Sequence, residues 1–149
     1  STKNPPGNDP WRIWNLWVEV ALLPPLGSEE LIAESERKYK HGLELMERAN
    51  IGAPNLYHAW KAFRTAWLYM ESLPEPRPSR YVTSRDKMKE AQVELDRTCA
   101  KVLLEAQTFF NQRRWDDARK TLEHVHEFFP VPDQPCPFRA AALREQFEL

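Results

Sequence analysis

The sequence is poor in glycine, with only 4 in 149 residues, at positions 7, 27, 42 and 52. These glycines are too far apart to form the glycine-rich loop whose backbone N–H groups bind phosphate. No serine has a glycine two residues before it and two after it, as a nucleophile elbow requires. We therefore expect a protein that is not an enzyme and has no catalytic residues and no cofactor.

Metal-ligand spacing is also missing. His124 and His126 are two residues apart, so on a helix they point about 200° away from each other and cannot share a metal ion. His41 and His58 have no cysteine or paired acid at ligand spacing, which is typical of solvated histidines. The sequence therefore predicts no metal site.

Net charge and long apolar runs are lacking as well. There are 21 basic and 22 acidic residues, for a net charge of -1, which gives no general attraction for nucleic acid or anionic lipid. The longest apolar stretch, WNLWVEVALLPPL, contains Glu19 and ends in two prolines, well short of the roughly 20 residues that span a bilayer. We expect no nucleic-acid partner and no membrane span.

Cysteine is limited to Cys99 and Cys136, too few for a disulfide framework. If two helices run antiparallel from a turn at 111–114, Phe129 lies level with Cys99, because both are about 14 residues from that turn. Cys136 could then fold back to Cys99. One disulfide and two reduced, buried thiols both remain open.

The N-terminal region has two parts. Residues 1–10 are rich in proline, glycine and asparagine and predict a flexible leader, whose polar start without methionine hints at export. Trp11, Trp14 and Trp17 follow in a segment too apolar to be solvated. They predict either a short helix packed over the domain or an exposed interface patch.

The remaining chain predicts one all-α domain at 11–149. Apolar residues separated by three and four positions predict helices at about 29–50, 56–73, 84–112, 115–129 and 138–149. Ser28 is the expected cap of the first helix, and Thr83 or Ser84 that of the third. Proline-rich stretches at 74–79 and 130–137 should break the helices.

The stretch from Cys99 to Pro130 resembles the tetratricopeptide repeat. The matching positions are small Ala106, aromatic Phe109 and Trp115, small Ala118, bulky Leu122 and the final proline. A looser copy contains Gly42, Leu45, Ala59, Phe63 and Ala66. The resemblance implies antiparallel hairpins at 29–73 and 84–130 and a capping helix at 138–149, in a right-handed solenoid of about five to six helices.

In this family the first helix of each repeat lines a groove that receives a peptide. By position, the resemblance implies groove residues Tyr39, Leu43, Met46, Leu103, Gln107, Phe110 and Asn111. A packed core explains Leu43 and Leu103 equally well.

The C-terminal part from Arg113 also resembles tetratricopeptide domains of bacterial envelope proteins and outer-membrane lipoproteins. This likeness implies a non-catalytic scaffold or adaptor that binds another protein or peptide in a cell-envelope complex. The location would be periplasmic or outer-membrane-tethered, with the cytoplasm as the other possibility. The alternative function is a structural subunit that forms a homo-oligomer or other assembly through Trp11, Trp14 and Trp17.

Overall fold

The computed structural model describes residues 27–131 and 134–149, and all regular structure within these ranges is helical. Its helical segments are α1 (Ser28–Glu47), α2 (Asn55–Glu71), α3 (Arg80–Asn111), α4 (Trp115–Glu123), α5 (Val125–Phe128) and α6 (Pro135–Gln146). Because α4 and α5 are one helix interrupted at His124, the described chain has five helices. The all-α prediction is confirmed for these ranges, in which no helix is long and apolar enough to cross a membrane. The predicted leader at 1–10 lies outside them.

Helices that follow one another in the chain pack against one another. α1 packs on α2, α2 on α3 and α3 on α4, while α6 contacts α4 and α5. The central helix is α2, which is buried along most of its surface and leaves only a narrow stripe of residues, including His58 and Lys61, open to solvent. The position of every other helix therefore depends on how it packs, directly or through a neighbour, on α2.

Small residues let α1 approach α2 closely. Gly42 faces the fully buried ring of Phe63, and a β-carbon at Gly42 would lie 2.7 Å from that ring. Two turns earlier, the buried hydroxyl of Ser35 donates a hydrogen bond of 2.7 Å to the carbonyl oxygen of Ala66. This contact satisfies a polar group inside the interface and aligns the two helices.

Two predicted helix caps are wrong. The N-cap of α1 is Gly27 and not Ser28, and no side chain caps this helix. Likewise α3 begins at Arg80, so Ser84 is a fully buried residue inside the helix. The helix starts shortly after Pro78, whose carbonyl accepts a hydrogen bond from the Tyr81 N–H. Residues 79–111 include no proline, so each of them has the backbone N–H that a helix needs.

Proline also explains the last helix. The sequence predicted a helix from residue 138, after the prolines, whereas α6 begins at Pro135 and includes Pro137. N–H groups of a first helical turn have no partner within the helix, so prolines there cost no hydrogen bond. These two prolines start the helix instead of breaking it.

Arg77 closes the C-terminal end of α2. Its guanidinium donates hydrogen bonds to the carbonyl oxygens of Met70 and Glu71, at 3.1 and 2.9 Å, and lies over the Tyr81 ring. The Tyr81 hydroxyl donates to the Glu71 carboxylate at 2.8 Å. Burial raises the pKa of Tyr81 above its ordinary value of 10.0, so the phenol stays a hydrogen-bond donor further into the alkaline range than a free tyrosine does. The connection from α2 to α3 is thus held by side chains at both ends.

A disulfide joins Cys99 of α3 to Cys136 of α6, with Cα atoms 5.9 Å apart. Both residues belong to the main core, together with Leu95, Leu122 and Val125. The bond closes a separation of 37 residues. It therefore fastens the C-terminal helix to the middle of the longest helix.

Gly42→Ala tests the close approach of α1 and α2. We expect the variant to lower the free energy of unfolding by roughly 1–2 kcal/mol. A β-carbon 2.7 Å from the buried ring should cost the upper part of the usual overpacking range, about 2–3 kcal/mol, and the helix propensity of alanine returns only about 1. The matched control is Gly27→Ala, since no atom lies within 4 Å of the added methyl group there. Its expected loss is about 0.5 kcal/mol, from the weaker N-cap. Equal urea midpoints for the two variants would contradict the tight contact.

The double variant Cys99→Ala/Cys136→Ala tests the covalent link. We expect it to lower the free energy of unfolding by about 4 kcal/mol, the chain-entropy value for a loop of this length. Denaturant titrations with and without reductant provide the measurement, because unfolding exposes the buried bond to the reductant. The wild-type midpoint should fall with reductant and that of the double variant should not. A wild-type midpoint that ignores reductant would show that the thiols are unpaired.

Candidate functional site

The predicted groove residues on α1 are mainly packing residues. Tyr39 is buried, with its ring centroid 5.6 Å from that of Phe63. Leu43 and Met46 are partly buried and pack against the main core. This outcome agrees with the core alternative that the sequence left open for Leu43.

The predicted groove residues on α3 are placed differently. Leu103 is partly buried against the main core, and Phe110 is stacked on Phe147 with centroids 3.9 Å apart and an interplanar angle of 7°. The Gln107 amide donates to the side-chain oxygen of Asn111 at 3.1 Å, on the exposed side of α3. The residues after α6 therefore cover Phe110.

The predicted groove residues of α1 and those of α3 do not form one groove. The two helices touch only slightly, because α2 packs between them. Their contact includes Arg80, whose guanidinium donates two hydrogen bonds to the Glu36 carboxylate, at 2.8 and 2.9 Å, and lies 3.9 Å from the Tyr39 ring centroid. The other sequence candidates, Trp11, Trp14 and Trp17, lie outside the described residues.

Among the depressions lined by described residues, a groove between α1 and α2 is the strongest candidate site. Its volume is about 490 Å³, and Val131, from the segment after α5, closes one side. Its walls are Lys38, His41 and Leu45 from α1 and Tyr57, His58, Lys61, Ala62 and Thr65 from α2. We call this feature the α1/α2 groove. Clefts of this size with an apolar floor and a few polar groups are typical of binding sites.

The α1/α2 groove has an apolar floor and a basic rim. Leu45, Ala62 and Val131 supply apolar surface, while two lysines and two histidines supply nitrogen groups. None of the described residues that line it is an aspartate or a glutamate. The described walls of the groove therefore combine apolar surface with lysine and histidine side chains.

Helical periodicity explains how these basic residues come together. Lys38 and His41 are three residues apart on α1, and His58 and Lys61 are three apart on α2, so each pair shares one helix face. The two faces meet because α1 and α2 are antiparallel neighbours. Sequence reasoning treated both histidines as isolated and missed the site, although the two basic pairs were a visible signal.

Two other depressions on the described surface have a different character. One of about 460 Å³ between α3 and the α4–α5 helix combines Lys101 and His124 with Glu105 and Glu127, and the His124 imidazole lies 3.1 Å from the Glu127 carboxylate. A smaller one of about 280 Å³ lies between that helix and α6. The larger one therefore contains acidic as well as basic side chains.

Glu36→Gln tests the link between α1 and α3 through its pH dependence. The hydrogen bonds from Arg80 lower the pKa of Glu36 below its ordinary value of 4.5. Their stabilisation is therefore complete above that value and is lost as pH falls through the lowered pKa. At pH 7 the variant should lose no more than about 1 kcal/mol of unfolding free energy, since the pair is partly solvated.

Urea titrations of wild type and variant from pH 7 to pH 2.5 provide the measurement. The difference between the two should shrink towards zero in the acidic part of this range. The control is Glu34→Gln, which removes an ion pair within α1 and should cost less than about 0.5 kcal/mol. A Glu36→Gln deficit that persists undiminished at the lowest pH would contradict the assignment.

Comparisons with known proteins do not extend these observations. No protein-family model matches the chain, and neither a curated protein nor a solved structure matches it.

Proposed function

We propose that this protein is a non-catalytic interaction scaffold that binds a segment of another protein in the α1/α2 groove. The observation that carries the proposal is the combination of an apolar floor and a polar rim in a groove of about 490 Å³. Such a surface can hold one or two large side chains of an incoming segment and orient its polar groups.

The chemistry of the groove favours binding over catalysis. Thr65 is the hydroxyl-bearing aliphatic side chain in its wall, and that hydroxyl donates a hydrogen bond of 2.8 Å to the Lys61 carbonyl of its own helix. A hydroxyl held in this way is not paired with a general base, which an activated nucleophile requires.

The proposal includes a tetratricopeptide-type arrangement, a right-handed solenoid of hairpins α1–α2 and α3–α4. Packing of consecutive helices supports it, as does the complete burial of small residues at the repeat-like positions Ala59, Ala66, Ala106 and Ala118. Small side chains at such positions let paired helices approach closely. A groove beside a rigid hairpin is then a natural place for a ligand.

The proposal also places the protein in an oxidising compartment such as the bacterial periplasm, as part of an envelope complex. The disulfide between Cys99 and Cys136 supports this location, because disulfides persist in oxidising compartments and are rare in the cytosol. A tether to the outer membrane is compatible with it.

Peptide display on the full, disulfide-bonded chain tests the function. Random 12-residue peptides are selected for binding and then measured against two variants. Thr65→Trp fills the groove and should weaken the selected peptides at least tenfold. Thr108→Trp is the matched control, since Thr108 makes the same hydrogen bond to the carbonyl four residues earlier but lies on the exposed side of α3.

Two results would contradict the proposal: a selection that yields no binders, or binders that Thr65→Trp holds as tightly as wild type. The molar mass of the protein in solution distinguishes the scaffold from the alternative function, a structural subunit. A dimer that dissociates on Trp14→Ala, in a chain without groove binders, would favour the structural subunit.

A further inference from the structure

We infer that the exposed side of α3 is a dimer interface, on which a second copy of this chain packs antiparallel along the same helix. This interface is separate from the α1/α2 groove of the proposed function, whose described lining residues lie outside α3. The order of apolar and charged residues along one face of the helix carries the assignment.

Three apolar side chains form a line on the exposed side of α3. Val82, Val93 and Leu104 are 46, 53 and 67% exposed, whereas Met88 and Leu95 on the opposite side are buried in the core. The three are spaced by 11 residues, which is close to three helical turns, so their side chains point in nearly the same direction. At 1.5 Å per residue the line is about 33 Å long. Helices pack on one another along such an 11-residue apolar repeat.

Charged residues lie between the apolar ones, and their sign changes at Val93. Asp86 and Glu90 precede Val93 on this face, and Arg97 and Lys101 follow it, at steps of three and four residues. All four charged residues are exposed. Together with the three apolar residues they form what we call the α3 stripe. Its order is apolar, acidic, acidic, apolar, basic, basic, apolar.

This order makes the α3 stripe complementary to itself when two copies run antiparallel. A two-fold axis at Val93 sets Val82 of one copy opposite Leu104 of the other, because both are 11 residues from the axis. Glu90 lies three residues before Val93 and Arg97 lies four after it, so the carboxylate of one copy faces the guanidinium of the other. Symmetry makes each of these contacts twice.

The other charges on this side of α3 follow the same rule. Asp86 lies seven residues before Val93 and Lys101 lies eight after it. On the flank of the α3 stripe, Lys89 and Asp96 repeat the relation with their signs exchanged, four residues before Val93 and three after it. A parallel pair would set each residue against its own copy, acid against acid and base against base. Opposite charges beside the apolar contact therefore select the antiparallel orientation.

Ion pairs within α3 are compatible with these contacts. The Glu90 carboxylate lies 3.2 Å from the Lys87 ammonium, and Arg97 is paired with Glu94, each three residues away on the same helix. Exposed pairs of this kind contribute little to stability. Because a carboxylate accepts and a guanidinium donates more than one hydrogen bond, both groups can keep these partners and also bind the second copy.

Sedimentation equilibrium of the full, disulfide-bonded chain tests the interface. A contact along one helix of each copy is at the small end of specific interfaces, so we expect monomer and dimer to exchange at micromolar concentrations. Val93→Glu should shift the chain to monomer, because it removes the apolar contact at the axis and places two carboxylates together. The matched control is Ile51→Glu, the same change in the turn after α1, where the side chain is 81% exposed. It should dimerise as wild type does.

Glu90→Arg and Arg97→Glu test the orientation. Each variant alone sets like charges against each other at both contacts and should weaken the dimer about tenfold or more. An equimolar mixture of the two should form a heterodimer, since both arginines of one chain then face both glutamates of the other. The mixture controls for changes within each helix, because those are the same as in the separate variants. Circular dichroism checks that each variant is folded.

Three results would overturn the inference: a wild-type chain that stays monomeric, equal association of Val93→Glu and Ile51→Glu, or a mixture that associates no more than its components. A dimer that dissociates on Trp14→Ala and persists in Val93→Glu would also overturn it and assign the interface to the N-terminal tryptophans. Peptide binding in the α1/α2 groove is measured separately, so the dimer and the proposed function can each fail while the other stands.

Discussion

The close crossing of α1 over α2 is the constraint on which the structure depends. Gly42 leaves space for the ring of Phe63, and the Ser35 hydroxyl satisfies the Ala66 carbonyl inside the same interface. Because α2 is buried against its neighbours, this crossing sets the distance of α1 from the core. It also sets the α1/α2 groove, whose two walls are the solvent-facing sides of these two helices.

The second half of the chain is held by a different kind of interaction. The helices α3, α4 and α6 have fewer fully buried residues than α2, and α6 is joined to α3 by the disulfide. The stacked rings of Phe110 and Phe147 extend that attachment beyond α6. A covalent link compensates for a smaller apolar interface, as it does in small secreted domains. The first half is therefore a hairpin whose packing depends on Gly42, and the second half is held together by the disulfide between Cys99 and Cys136.

Helix periodicity predicted the all-α class and the approximate place of each helix because apolar residues at steps of three and four must share one face. It failed at the ends of helices. Pro135 was interpreted as a breaker but starts α6, and Ser84 was interpreted as a cap but lies inside α3. At α6 the outcome depends on prolines that fall in the first turn, and at α3 it depends on the helix starting at Arg80, shortly after Pro78. Periodicity reveals neither position.

The candidate site was harder to predict. The sequence shows that Lys38 and His41 share a face of one helix, and that His58 and Lys61 share a face of another. It does not show that these faces meet, because that depends on the rotation of α1 and α2 about their contact at Gly42 and Phe63. The positions inferred from the repeat resemblance, such as Tyr39 and Phe110, proved to be largely covered by Arg80 and Phe147.

The central claim is that the α1/α2 groove receives a segment of a partner, and backbone chemical-shift mapping tests it most directly. The full chain, labelled with nitrogen-15, is titrated with a selected peptide, and amide shifts are followed residue by residue. The account predicts that the largest shifts cluster at Lys38, His41, His58, Lys61 and Thr65. Shifts concentrated on α6 or on the exposed side of α3, with the groove amides unmoved, would contradict it.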